Sequence, residues 1–75
     1  MKTAHKQKYK LLGLNIAYYR KLNGYTQEVF AEKLNIDRTT VSKIELATSG
    51  VSLDLLFDIS ELLNVPINQL FDFRN

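Results

Sequence analysis

Apolar residues recur along this chain at intervals of three and four, the spacing that places side chains on one face of an α-helix. The first stripe begins at Leu11 and ends at Leu22, with Leu12, Ile16 and Tyr19 between them. No segment alternates apolar and polar residues with the period of two expected of a β-strand. The pattern therefore predicts an all-α fold of five short helices around one core.

Residues that favour helix ends divide the first half of this pattern. Gly24 follows the first stripe, and glycine readily takes the left-handed conformation that ends many helices. Thr26 is a predicted N-cap for a second helix, residues 27–34, because its hydroxyl can accept a hydrogen bond from the first turn. Asn35 is the non-glycine residue type best suited to another left-handed stop. The second helix is therefore expected to be bounded at both ends.

The second half of the pattern predicts three further helices. Asp37 is a predicted N-cap for a third helix over residues 38–45, and Ser52 for a fourth. Pro66 suits the start of a final short helix that runs through Phe71. The predicted inward side chains of the fourth helix are Leu53, Leu56, Ile59 and Leu63.

A turn of only three residues, 35–37, separates the second predicted helix from the third. This is the geometry of a helix-turn-helix. Ala31 is predicted where the two helices approach closely, since a larger side chain would push them apart. Val41 and Ile44 are predicted to face inward and hold the third helix in place. Helix geometry then leaves four polar side chains on the outward face: Arg38, Thr39, Ser42 and Lys43.

These residues carry a resemblance to a known family. The segments Leu12-Gly13, Gly24-Tyr25-Thr26-Gln27, Phe30-Ala31 and Leu34 through Glu45 are similar to the Cro/CI-like (XRE) family of phage and bacterial repressors. The continuation from Ser52-Leu53 to Leu62-Leu63-Asn64-Val65 is similar to it as well. The resemblance implies a lambda-repressor-like domain that binds double-stranded DNA as a homodimer, at a pseudo-palindromic operator, and represses transcription.

The resemblance also implies roles for individual residues. The residues similar to those that contact bases in the family are Arg38, Thr39, Ser42 and Lys43. Gln27 and Thr40 are similar to residues that contact DNA phosphates. Arg20 and Glu45 match a structural ion pair, and the dimer interface is expected around Val65, Ile67 and Phe71. Independently of the family, arginine and lysine are the usual partners of guanine in the major groove.

The chain departs from the family pattern mainly in the loop after the third helix. Ala47 and Asn35 stand where glycine is usual, and Val51 where proline is common. The loop residues Leu46, Thr48 and Ser49 are neutral, whereas the family often places basic residues there. This leaves open an alternative function, a protein-binding module such as an antitoxin or anti-repressor. A surplus of apolar residues also favours that alternative: Val29, Leu46, Phe57, Phe71 and Phe73.

Charge is divided unevenly along the chain. Residues 1–43 hold nine lysines and arginines and three acidic residues, a net charge of +6. Residues 44–75 hold one arginine and five acidic residues, a net charge of −4. Such asymmetry suggests that one side of the molecule meets a polyanion. The predicted organisation is a basic, flexible arm over residues 1–10, a helix-turn-helix domain over residues 11–71 and a C-terminal tail over residues 72–75.

Composition argues against several other classes of protein. Cysteine is absent, which excludes disulfides and thiolate metal sites, and the one histidine, His5, has no partner for catalysis or metal binding. Without a nucleophile–base pair or a Gly-rich phosphate loop, we expect no enzyme, cofactor, metal or small-molecule ligand. With neither a signal peptide nor an apolar run of membrane-spanning length, a cytoplasmic protein without membrane contact is expected.

Overall fold

A computed structural model describes residues 3–73. After a 3₁₀ turn at Thr3–His5, five α-helices follow in chain order: α1 (Lys6–Leu22), α2 (Gln27–Leu34), α3 (Arg38–Glu45), α4 (Leu53–Leu63) and α5 (Ile67–Leu70). The described part of the chain contains no β-strand. The predicted all-α fold of five helices is confirmed, although α1 has 17 residues and is not short.

The N-terminal part of the chain differs most from the sequence prediction. α1 begins at Lys6, five residues before Leu11, so the predicted arm of residues 1–10 is helical from residue 3 onward where the structure describes it. The ring of Tyr9 is half-buried against the loop at Gly50. This long-range contact supports the extra helical turn, which local sequence does not reveal. Residues 1 and 2 of the predicted arm, and 74 and 75 of the predicted tail, lie outside the described residues.

Two of the three predicted N-caps form the expected hydrogen bond. The hydroxyl of Thr26 accepts from the backbone N–H of Val29 at 3.1 Å, and the hydroxyl of Ser52 accepts from that of Leu55 at 3.2 Å. Asp37 stands at the N-cap of α3, but its side chain makes no capping hydrogen bond. α3 is therefore positioned by its packing more than by its cap.

Left-handed residues end the helices as the sequence predicts, with two additions. Gly24 has a φ of 78° after α1, and Asn35 has a φ of 57° after α2. Asn64 ends α4 in the same conformation, and Ala47, with a φ of 58°, takes it just beyond α3. Ala47 thus adopts a backbone conformation in which a glycine would be unstrained.

The core draws its side chains from all five helices and from the residue before Pro66. Leu22 and Leu53, both predicted to face inward, are instead exposed. Leu22 is the last residue of α1 and Leu53 the first of α4, so both lie where a helix extends beyond the core. The buried apolar cluster consists of Leu12, Ile16, Phe30, Ala31, Val41, Ile44, Leu56, Ile59, Leu63, Val65 and Leu70.

Gly13 marks the point where α1 meets the end of α3. A Cβ atom at this position would lie 2.6 Å from the carbonyl oxygens of both Ile44 and Glu45. These are backbone atoms of another helix, which cannot move aside as a flexible side chain could. The absence of a side chain at Gly13 therefore sets how closely α1 approaches α3.

The C-terminal segment is tied back to α1. The side-chain amide of Asn15 donates to the carbonyl oxygen of Leu70 at 2.9 Å and to that of Asp72 at 3.2 Å. Phe73 packs half-buried against the core. The described part of the predicted tail, residues 72 and 73, therefore packs against the domain.

Candidate nucleic-acid interface

α3 presents two different faces. Val41 and Ile44 are buried in the core and fix the helix from below. On the other side Arg38, Thr39 and Lys43 are exposed, while Thr40 and Ser42 are half-buried at the edges. The side chains predicted to contact bases thus form an outward ridge along α3, of which Ser42 is the least exposed member.

The turn before α3 holds this ridge away from the rest of the molecule. Three residues, 35–37, connect α2 to α3, as the sequence predicts. The backbone N–H of Ile36 donates to the carbonyl oxygen of Ala31 at 3.0 Å, which closes the left-handed bend at Asn35. Ala31 itself is buried, as expected of a residue at a close helix crossing. The angle between α2 and α3 is therefore set by short-range geometry and packing.

A buried ion pair joins α1 to the C-terminal end of α3. Arg20 Nε donates to Glu45 Oε2 at 2.6 Å, and Arg20 Nη2 donates to Glu45 Oε1 at 3.1 Å. Both side chains are more than nine-tenths buried. Arg20 Nη1 also donates to the carbonyl oxygen of Tyr25 at 2.8 Å, so the guanidinium fixes the start of the segment that leads into α2.

Gln27 connects this ion pair to the surface. Its Nε2 donates to Glu45 Oε1 at 3.0 Å from the first residue of α2. A primary amide has two N–H groups and a carbonyl oxygen, so one of those N–H groups serves Glu45 and the second can donate to a ligand outside the protein. Gln27 is half-buried and oriented by the ion pair before any ligand arrives.

The loop after α3 carries no basic side chain and projects one apolar residue. Ala47 is buried, and the backbone N–H of Thr48 donates to the carbonyl oxygen of Lys43 at 2.9 Å. Leu46 is the most exposed of the large apolar side chains in residues 3–73. The loop residues at 46, 48 and 49 therefore offer no positive charge to a phosphate backbone.

The residues expected at a dimer interface are not equally available. Val65 is only 8% exposed and belongs to the core cluster, so its side chain has almost no area to offer a partner. This corrects the expectation for Val65, since the left-handed turn at Asn64 directs the following residue inward. Ile67 is half-buried against the core, and Phe71 is exposed.

Sequence comparison now places the domain in a family. Residues 16–70 match the model of HTH_3, described as helix-turn-helix. The chain belongs to this XRE-type helix-turn-helix family. The expected resemblance is thereby confirmed, and the match includes the whole of α2, the turn, α3 and α4.

Relatives of this helix-turn-helix protein come from archaea and bacteria. The HTH-type transcriptional regulator MJ0272 of Methanocaldococcus jannaschii is 37% identical over 60 residues, which cover 80% of this chain and 91% of that protein. The HTH-type transcriptional regulator YazB of Bacillus subtilis is 34% identical over 61 residues, 81% of this chain and 88% of YazB. The control protein C.SmaI of Serratia marcescens is 30% identical over 61 residues, 81% of this chain and 73% of C.SmaI.

Solved structures confirm the fold. The restriction-modification controller protein C.AhdI of Aeromonas hydrophila superposes with a TM-score of 0.82 over 88% of this chain and 96% of that one, at 24% identity. The hypothetical transcription factor NHTF from Neisseria gives a TM-score of 0.80 over 85% of this chain and 74% of that one, at 28% identity. The all-α helix-turn-helix fold expected from sequence is therefore shared with both of these structures.

Two further properties concern the described residues only. None of the helices within residues 3–73 combines the length and apolarity needed to cross a membrane. The same residues hold no group of three or more histidine, aspartate or glutamate side chains arranged to bind a metal ion.

Proposed function

We propose that this protein is a homodimeric regulator of transcription that binds a pseudo-palindromic operator in double-stranded DNA and acts as a repressor. The observation that carries this proposal is the outward ridge of α3, held rigidly over Val41 and Ile44 and braced at its end by Arg20 and Glu45. A rigid polar helix of this width fits the major groove of B-DNA. Its place of action would then be the cytoplasm.

The chemistry of the ridge matches the edges of base pairs. Arg38 and Lys43 can donate to O6 and N7 of guanine, and the methyl group of Thr39 can pack on a thymine methyl. Ser42 can donate or accept at the edge of the same surface. Each good base contact is worth about 1–3 kcal/mol of discrimination against the wrong base.

Phosphate contacts would set the orientation of the ridge. The free N–H of Gln27 lies at the N-terminus of α2, where unpaired backbone N–H groups and the helix dipole also favour an anion. Thr40, half-buried at the edge of α3, offers a hydroxyl. Because Glu45 holds Gln27 in place, this phosphate contact would be formed with little loss of side-chain entropy.

Salt dependence tests the proposal directly. If the protein neutralises phosphates, the logarithm of its duplex binding constant should fall linearly with the logarithm of salt concentration, by about 0.9 for each phosphate neutralised. Fluorescence anisotropy of a labelled duplex measures this slope. Binding to every duplex weaker than the ordinary non-specific range at low salt would contradict the proposal.

Two substitutions separate base reading from positioning. Arg38→Ala is expected to cost about 1–3 kcal/mol at one base pair and to relax specificity there, whereas Gln27→Ala should weaken binding evenly across sequences. Lys33→Ala, which removes an exposed cation on α2, serves as the control for lost charge. Binding to a panel of singly substituted operators measures both effects. Equal losses on every sequence for both variants would show that the roles are assigned wrongly.

The dimer is proposed to form around Ile67 and Phe71, with Val65 left out. A two-fold dimer would place two α3 ridges one DNA turn apart, about 34–36 Å. Phe71→Ser should shift dimer towards monomer in analytical ultracentrifugation, because it removes an exposed aromatic anchor. Val29→Ser is the control: it changes an exposed apolar side chain on α2, far along the chain from Phe71, and should leave the dimer intact. If both variants weakened the dimer equally, the interface would lie elsewhere.

The protruding Leu46 favours a second candidate function, a protein-binding module such as an antitoxin or anti-repressor. An exposed leucine in a neutral loop beside α3 suits an apolar protein surface better than a phosphate backbone. Leu46→Ser separates the two functions. If α3 reads DNA, the substitution should leave duplex binding largely unchanged. If the loop is the main contact with a protein, the substitution should abolish the complex with that protein.

A further inference from the structure

An apolar stripe lies on the outside of α1, away from the site described above. Leu14, Tyr18 and Leu22 are 55%, 59% and 66% exposed. Their spacing of four residues places them in one row along the helix. Gly13 faces the carbonyl groups of α3, and Tyr18 follows it by five residues, which turns it about 140° away around the helix axis. The row therefore remains accessible whatever α3 binds.

The charges that α1 itself places beside this row are all positive, while Asp72 lies in the same surface cleft as Tyr18. Residues 6–22 contain no aspartate or glutamate. Exposed Lys10 precedes Leu14 by four residues, and exposed Lys21 follows Tyr18 by three, so both border the row. Pairing two copies of α1 with each other would bring these lysines together without a counter-charge. An acidic surface would therefore complement the side of the row that Lys10 and Lys21 border.

The chain carries a second exposed apolar surface, with opposite charge, on α4. Leu53 and Phe57 are 65% and 49% exposed, four residues apart on the outward face. The exposed acidic side chains Asp54, Asp58 and Glu61 lie along one side of them on the helix. α4 contains no lysine or arginine. Its outward face thus combines two apolar anchors with three negative charges.

We propose that the apolar row of α1 in one copy docks onto the outward face of α4 in a second copy. Phe57 and Leu53 pack between Leu14 and Tyr18, while the acidic side chains face Lys10 and Lys21. The contact is head-to-tail, because each copy contributes a different surface to it, and such contacts generate chains of molecules unless they close into a ring. The inference is independent of DNA binding.

Charge reversal on each side tests this contact without DNA. One variant carries Lys10→Glu with Lys21→Glu, and the other carries Asp58→Lys with Glu61→Lys, all at exposed positions. Glu61 is chosen over Asp54 because a lysine near the C-terminus of α4 agrees with the helix dipole, whereas one near its N-terminus does not. Lys33→Glu, outside both surfaces and outside the α3 ridge, is the control for reversal of an exposed charge. Circular dichroism verifies that each variant is folded.

Sedimentation velocity over a range of concentrations measures the self-association of each protein. At the highest concentrations, where the dimer is already complete, the wild type and the control should associate beyond the dimer. Each reversed variant alone should show this further association at least about tenfold more weakly, and an equal mixture of the two reversed variants should recover it. The mixture is decisive because it restores opposite charges at every α1–α4 contact. An unaffected α1 variant, a mixture that does not recover, or a wild type that stops at the dimer would each overturn the proposal. Loss of operator binding, in contrast, would bear only on the function of α3.

Discussion

Replacing Glu45 with alanine is expected to lower the free energy of unfolding by about 3–5 kcal/mol, because it leaves the buried guanidinium of Arg20 without its carboxylate. A domain of 75 residues has a total stability of only about 5–15 kcal/mol, so the loss is a large part of it. Gln27 loses its partner in the same change. Urea denaturation followed by circular dichroism measures the effect.

Two companion variants identify the cause of this destabilisation. Glu32→Ala removes an exposed carboxylate on the surface of α2 and should change the stability by less than about 0.5 kcal/mol. The double variant Arg20→Met with Glu45→Leu removes both buried charges and should be markedly more stable than Glu45→Ala alone, since no unpaired charge remains. If Glu45→Ala and Glu32→Ala were equally mild, the buried ion pair would not brace α3.

Gly13→Ala is expected to destabilise the fold by about 1–3 kcal/mol or more, although alanine favours helix formation more than glycine does. The new methyl group would lie 2.6 Å from two backbone carbonyl oxygens at the end of α3. To relieve this steric clash, α1 and α3 must move apart, which would also strain the nearby contact between Arg20 and Glu45. The midpoint of urea unfolding measures the loss.

Gly50→Ala provides a matched control for this substitution. A Cβ atom at Gly50 would meet the ring of Tyr9 at 3.6–3.7 Å, which is ordinary van der Waals contact. That variant should be neutral or slightly stabilising, because alanine restricts the unfolded chain. A Gly13→Ala variant as stable as the Gly50→Ala variant would mean that α1 does not approach α3 as closely as described.

The features that the sequence predicts well depend on neighbouring residues. Thr26 and Ser52 cap their helices, and Asn35 turns left-handed, because each outcome follows from the chemistry of one residue and its local hydrogen bonds. The three-residue turn follows from two helix ends that can each be recognised alone. For the same reason the outward position of Arg38 and Lys43 could be predicted from the helical period alone.

The features that the sequence does not predict depend on distant contacts. The close approach at Gly13 needs the end of α3, and the burial of Val65 needs the turn at Asn64. The start of α1 at Lys6 is hidden because its first residues are almost all polar, and Tyr9 finds its contact only in the folded chain. One signal was available for Gly13, since a glycine inside an otherwise strong helical stripe often marks close packing.

Selection of bound duplexes from a random pool, followed by sequencing, tests most directly whether the α3 ridge reads a major groove. We predict two half-sites related by two-fold symmetry, with centres about 10 base pairs apart. The same selection with Arg38→Ala should lose the preference at one position in each half-site and keep the spacing. A wild-type pool without enriched sequence, or an Arg38→Ala pool identical to that of the wild type, would contradict DNA reading by α3.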